Sequence, residues 1–350
     1  MIAYRFHARG NGAAGKANVG QGKFDATPSL IPLTTPAYRA QQAAGGEQQL
    51  LAHLTAQLGH IFPAGFLTAY YVALKTSPFV VLTGPEGTGK AALAAGLARS
   101  LVGSASGQFV TIGSDSWARR GSQASYYRGI HERFGISQLS ETLQEAAAPE
   151  SMGKLFFVLL RGLTAEELDS YLNGMLRVSP SGERRLALPG LALDEQPVIP
   201  PNCFLTATLH TSPEVALDPQ LLKQAGRIEV SAALHAEAQL PELPPPPVGF
   251  QRTMLAALRR DPRCARAELI NLLGRRDLAT LTPSPTLSRR LIEQGIALSR
   301  SQREAALAYV ANSFDADGRG LFDATNPLRN AQLAFEVQLS HLVLDAVELG

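Results

Sequence analysis

The run Phe79-Val80-Val81-Leu82-Thr83-Gly84-Pro85-Glu86-Gly87-Thr88-Gly89-Lys90-Ala91 carries more information than any other in this chain. Its first five residues form a short apolar run of buried-strand type, set off from the preceding helical stretch by Ser77-Pro78. Its end opens a second helical stretch, in which Leu93, Leu97 and Leu101 fall on one face. Between strand and helix lies a glycine-rich turn ending in lysine. Glycines let backbone N–H groups turn inward around anionic oxygens, the helix N-terminus adds a positive dipole, and the lysine supplies a full charge. Gly84, Pro85, Glu86, Gly87, Thr88, Gly89, Lys90 and Ala91 therefore read as a phosphate-binding loop, with a ligand-free glycine turn as the plainer alternative. The position after the lysine is expected to carry Ser or Thr, whose hydroxyl ligates Mg²⁺ on the β,γ-phosphates. Here it is Ala91.

Working outward, comparable apolar runs recur at Phe109 to Ile112, Leu155 to Leu160, Cys203 to Thr208 and Arg227 to Val230, most of them separated by helical stretches. Strands alternating with helices predict a parallel, doubly wound α/β sheet. Upstream, Leu50, Leu51, Leu54 and Leu58 mark one helix face and a second helical stretch runs to Lys75. Downstream, Pro244 to Pro247 can be neither helix nor central strand, so residues 241–250 read as a stiff linker. The domains expected are a basic Gly/Ala-rich arm over residues 1–47, an α/β core over 48–240, the linker, and a smaller all-helical domain over 251–350. The last segment alternates like a strand at Leu333, Phe335, Val337 and Leu339. Phe335, Leu339, Leu342 and Ala346 fit a helix instead, which its length and lack of turn residues favour.

The whole chain sets limits on these readings. Its 350 residues leave room for two domains, and 45% hydrophobic against 18% charged residues excludes disorder over most of the length. The 32 Lys+Arg and 30 Asp+Glu give a formal charge of +2, too small for a global field directed at nucleic acid or a membrane surface. Two cysteines and seven histidines without CxxC or HExxH spacing exclude a disulfide framework and a zinc site. The start lacks a signal-peptide pattern, and the apolar stretch around Ile61 to Leu74 is too short to span a bilayer. A cytoplasmic protein without membrane contact is expected.

The stretch Leu74 to Gly84 leading into the loop resembles the AAA+ domain of McrB-like NTPases, the nucleotide-driven subunits of modified-DNA restriction systems. Trp117 followed by Tyr126-Tyr127 is similar to that family's aromatic set after the second strand. Pro200-Pro201-Asn202-Cys203-Phe204-Leu205 resembles the entry to its sensor strand, Leu217 to Val230 the end of its core, and Asn326-Pro327-Leu328 with the final helix its lid. The resemblance covers about residues 50–350. It implies a P-loop AAA+ core with a helical lid, bound ATP or GTP, and assembly into homo- or hetero-oligomeric rings beside a nuclease or an active NTPase subunit.

Departures from that pattern point to lost hydrolysis. The resemblance implies Asp-Glu at the end of the third strand run, where Arg161-Gly162 stand; a sensor asparagine, where His210 stands; and an arginine finger, where Gln224 stands beside Lys223, with Arg227 not far off. With Ala91, these changes remove both metal ligands, the water-activating carboxylate, the sensor and the finger, so no catalytic residues and no Mg²⁺ site are expected. Glu166, Glu167 and Asp169 lie nearby but about a turn away, and phosphoryl transfer depends on tight positioning. Arg161 either enters the site, repelling Mg²⁺ and pairing with phosphate or Glu86, or is a solvated strand-end residue. The resulting reading is a catalytically degenerate McrB-like assembly or regulatory subunit of a DNA restriction or phage-defence complex. The alternatives are an active ATP- or GTP-hydrolysing motor working on DNA, and an interaction protein whose loop is a relic.

Weaker signals remain. Arg252, Arg259, Arg260, Arg263, Arg266, Arg275 and Arg276 oppose only Asp261 and Glu268, which is either a nucleic-acid patch or a solvated helical face. Trp117, Tyr126 and Tyr127 suit core or interface packing as well as base stacking. His7, His53, His60, His131, His235 and His341 form no cluster. Cys203 belongs to the core, whereas Cys264, among arginines, is the more reactive thiol.

Overall fold

The computed structural model describes residues 30–32, 46–77, 79–112, 136–163, 176–178, 184–186, 197–209, 226–230, 249–293 and 295–347. In chain order the elements begin with β1 (Leu30–Pro32), α1 (Gly46–Leu58), α2 (Ala64–Thr76), β2 (Phe79–Thr83), α3 (Lys90–Val102) and β3 (Phe109–Ile112). There follow α4 (Ile136–Ala147), β4 (Phe156–Leu163), β5 (Leu176–Val178), β6 (Arg184–Leu186), β7 (Cys203–Leu209) and β8 (Gly226–Glu229). The C-terminal part comprises α5 (Phe250–Ala256), β9 (Leu258–Arg260), α6 (Ala265–Leu273), α7 (Arg275–Ala279), α8 (Pro285–Glu293), α9 (Arg300–Asn312) and α10 (Pro327–Val347). Among the described residues, no helix is long and apolar enough to cross a membrane.

Five strands make a wholly parallel sheet in the order β3-β4-β7-β2-β8. All five residues of β2 and all seven of β7 are buried, which is why both read as unbroken apolar runs. β2 is an interior strand, flanked by β7 and the edge strand β8, and the loop follows directly from its end. All five strands anticipated in this layer are present, and the final segment is helix.

α2 packs its Leu67 to Lys75 surface into the core. Buried apolar residues from one face of the sheet, among them Val80, Leu82, Phe157, Leu159, Phe204 and Ile228, form one continuous cluster with residues of α1, α2, α6, α9 and α10. Tyr309 Oη on α9 donates to the Ala69 carbonyl on α2 at 2.9 Å, so the C-terminal helices are seated directly on the core.

The C-terminal part departs from an all-helical domain at one strand. β9 pairs antiparallel with β1, with Leu30 opposite Arg260 and Pro32 opposite Leu258. Residues Leu30–Pro32 of the arm thus belong to the folded body. So does Glu47, which lies in α1, only 4% exposed, in the helix that carries Leu50, Leu51, Leu54 and Leu58.

Candidate functional site

The loop after β2 is shaped by its glycines. Gly84 has φ +136°, and a β-carbon there would lie 2.3 Å from the Val230 carbonyl oxygen, because Val230 N–H donates to the Thr83 carbonyl and draws the two strand ends together. Gly87 and Gly89 have φ +76° and +85°, values that suit glycine. Gly89 is the N-cap of α3. No side chain caps that end and no acidic residue lies in its first turn, so the helix dipole is offset by neither.

Lys90, at the first position of α3, is 4% exposed. Its Nζ donates to the Gly84 carbonyl at 2.7 Å, to the Pro85 carbonyl, and to Thr88 Oγ1 at 3.3 Å. The Thr88 hydroxyl in turn donates to the Pro85 carbonyl at 2.9 Å. Burial pushes the Lys90 ammonium below the usual lysine range, and the charge of the exposed Glu86 opposes this in part. The result is a desolvated cation hydrogen-bonded only to neutral oxygens of its own loop, at an uncapped helix N-terminus. Such an arrangement is chemically suited to an anion. Ala91, half-buried, brings no hydroxyl.

The end of β4 is built differently. The β4–β7 register slips between Leu160 and Leu163, and within the slip Gly162 adopts φ +77° and donates its N–H to Thr208 Oγ1 at 3.3 Å. Arg161 is exposed. The two positions where a metal-binding carboxylate pair was sought therefore hold a solvated cation and a left-handed glycine. Among the described residues, no group of three or more His, Cys, Asp or Glu is placed to hold a metal ion.

Other anticipated residues fall in several places. Arg227 is buried in β8 and donates from Nε to Thr83 Oγ1 at 3.2 Å, at the base of the loop. Asn202 is buried, with its side-chain nitrogen 3.0 to 3.1 Å from the carbonyls of Ala146, Ser151 and Lys154. Cys203 is core, its thiol pushed up to about 12 by burial. His53 stacks on Phe250 at 4.9 Å between ring centroids. Trp117, Tyr126, Tyr127, Glu166, Glu167, Asp169, His210, Lys223, Gln224, most of the arm and most of the 241–250 linker lie outside the described residues.

The arginine run is not one surface. Arg260 is interior: its Nη1 donates to the Ala311 and Phe314 carbonyls at 2.8 Å each and its Nη2 to the Asp315 carbonyl at 3.1 Å, capping the end of α9. Arg259 is half-buried, and desolvation lowers its pKa. Arg263 is exposed but tied to Asp261 at 2.8 Å. Only Arg263, Arg266, Arg275 and Arg276 of the run present exposed side chains among those described.

Sequence reasoning missed a polar network at the junction of core and C-terminal helices. Lys75, fully buried, has its Nζ 2.9 Å from both Glu47 carboxylate oxygens and donates to the Phe314 carbonyl at 2.9 Å. Tyr71 Oη donates to Glu47 at 2.8 Å. The signal was present: Glu47 lies three and seven residues before Leu50 and Leu54, on the same helix face.

The fold and the loop together define an α/β protein: five parallel strands, a glycine-rich loop between β2 and α3, and C-terminal helices packed against the core. No family model matches the chain, and no curated protein sequence does. Among solved structures, the chain is similar to C. elegans PCH-2 at 14% identity and a TM-score of 0.24, over 79% of this chain and 66% of that one. It thus spans just under two thirds of that protein's length.

Proposed function

We propose that this chain is a catalytically degenerate AAA+ subunit that holds the phosphates of ATP or GTP in the Gly84 to Ala91 loop and does not turn them over usefully. The observation that carries the reading is Lys90: a buried ammonium whose hydrogen-bond partners are all neutral loop oxygens, so that an anion supplies the charge its surroundings lack. The residues suit a nucleotide's phosphates and do not suit Mg²⁺. Ala91 has no hydroxyl, Arg161 is a cation, and a side chain at Gly162 would have to grow from left-handed backbone. Loss of an arginine finger alone costs about 10³–10⁵ in turnover in related chemistry. Missing metal ligands and the missing carboxylate compound that loss.

In this reading the chain serves as a scaffold or regulatory member of an oligomeric ring. The McrB-like order of motifs supports a place beside a nuclease or an active NTPase in a DNA restriction or phage-defence complex. The decisive measurement is titration of the protein with labelled ATP and GTP, with and without Mg²⁺, followed by phosphate release from the same samples. Binding is expected without Mg²⁺ dependence and without turnover. Lys90→Ala should weaken it about 10- to 100-fold, the worth of one or two charge-assisted hydrogen bonds. Turnover abolished by Lys90→Ala would assign the chain to the active motors instead. Absence of binding would leave a nucleotide-independent scaffold.

A further inference from the structure

Among the C-terminal helices, on no element of the phosphate loop, lies a cleft of about 610 Å³. Its apolar lining includes Leu281, Leu307 and Phe335, of which Phe335 is 4% exposed and the two leucines are half-buried. Three arginines also line it, each from a different element: Arg266 on α6, Arg275 at the start of α7 and Arg303 on α9. All three are exposed, and among the described residues no carboxylate lines the cleft. Glu336, next in sequence to Phe335, accepts from Ser284 N–H at 3.1 Å, and Glu304, next to Arg303, pairs with Arg300 at 2.8 Å. Asp277 stands on α7 but is not part of the lining.

We propose that this cleft is a docking site for a protein segment that carries carboxylates between apolar side chains. Its volume is that of a specific binding pocket. Three guanidinium groups on three separate elements call for several anionic groups spaced along a chain. A fatty acid, with one carboxylate, would satisfy one of them. A nucleic acid would satisfy all three through phosphates but would leave the apolar lining facing a polar backbone. Carboxylates accept the planar guanidinium fork in pairs, and leucine-like side chains fill the floor, so an acidic and apolar peptide matches both halves of the site. This inference does not depend on nucleotide binding.

The chain itself supplies a probe of that composition. Residues 164–175, with Glu166, Glu167 and Asp169 among Leu168, Tyr171 and Leu172, contain no basic residue. A fluorescein-labelled peptide of this sequence is titrated with the full-length protein by fluorescence polarisation, beside a version with Gln, Gln and Asn in place of the three acids and a polyglutamate of equal length. The acidic, apolar peptide should bind, and the other two should bind at least about tenfold more weakly. Each of Arg266→Ala, Arg275→Ala and Arg303→Ala should weaken binding about two- to fivefold, and the triple variant more than about tenfold, as for exposed ion pairs acting together. Thermal unfolding of these variants should match the parent, since the side chains are solvated. Failure of the acidic peptide to bind, equal binding of the amide version, or an unaffected triple variant would overturn the proposal. So would tighter arginine-dependent binding of a single-stranded oligonucleotide or of dodecanoate, and either result would reassign the cleft.

Discussion

Lys75 and Lys90 are both buried, and desolvation lowers the pKa of both, yet their surroundings differ in the one respect that separates structure from function. Lys75 has a carboxylate, Glu47, 2.9 Å away, and a carbonyl contributed from 239 residues further along the chain. Its charge is answered inside the protein, and the pair fastens α1, α2 and the end of α9 to one another. Lys90 contacts only oxygens within six residues of itself, all neutral. Those contacts position the ammonium without cancelling its charge. A buried cation with a counter-charge is a rivet. A buried cation hydrogen-bonded to neutral oxygens, with its nearby carboxylate Glu86 exposed, at the mouth of a helix, suits a bound anion.

The widest separation between the two lysines should appear in stability. Glu47→Ala leaves Lys75 in the interior without its carboxylate and takes the acceptor from Tyr71, which should cost about 3–5 kcal/mol in urea unfolding. Replacing both members, Glu47→Leu with Lys75→Met, should recover most of that loss, because the pair's own net contribution is small next to the penalty of an uncompensated charge. Lys90→Ala, by contrast, should change unfolding little while weakening nucleotide affinity about 10- to 100-fold. A Glu47→Ala cost below about 1 kcal/mol would erase the distinction.

The second effect lies within the loop. Gly84→Ala must fit a β-carbon 2.3 Å from the Val230 carbonyl on backbone at φ +136°, so it should destabilise by about 2–4 kcal/mol or displace the loop from β8. Gly87→Ala meets no atom within 4 Å, and only its φ of +76° opposes the change, so about 1–2 kcal/mol is expected. Measured side by side, the two glycines test whether the loop is anchored at its strand end and open where a ligand's oxygens would approach. Equal costs would contradict that picture.

Much of this was legible in the sequence for a local reason. Strand, glycine turn, lysine and helix are contiguous from Phe79 to Val102, and each short apolar run of the sheet announces itself without help from distant residues. What escaped notice depends on contacts far apart in sequence. β1 and β9 are three residues each, too short for a periodic signal, and they meet across more than two hundred residues. Arg260 reads as one more surface charge in a basic run, and the buried carbonyls at the end of α9 draw it inward. At β4 the sequence places Arg161-Gly162 where the resemblance implies Asp-Glu. It does not show that the register slips and the backbone turns left-handed there, a difference of geometry beside that of side chains.

The smallest expected effect tests the charge state on which the Lys90 argument rests. Because burial lowers its pKa, the free protein gives up this proton at a lower alkaline pH than an unfolded chain does. Between the depressed value and the ordinary lysine value the unfolded state binds more protons, so this group's contribution to stability rises with pH. Nucleotide affinity should move the opposite way. Phosphate binds the ammonium and not the neutral amine, so over the same window affinity should fall, by at most about tenfold per pH unit for a single proton. Lys75 is also depressed by desolvation and adds to the stability curve, so unfolding alone cannot separate the two lysines. Affinity can, since Lys75 lies in the α1–α2–α9 network and not in the loop. Calorimetric titration with ATP at rising pH, in two buffers of different ionisation enthalpy, should show proton uptake on binding that vanishes in Lys90→Ala. Binding without proton uptake across the alkaline range would mean that the loop's cation is answered from within after all, as Lys75 is by Glu47.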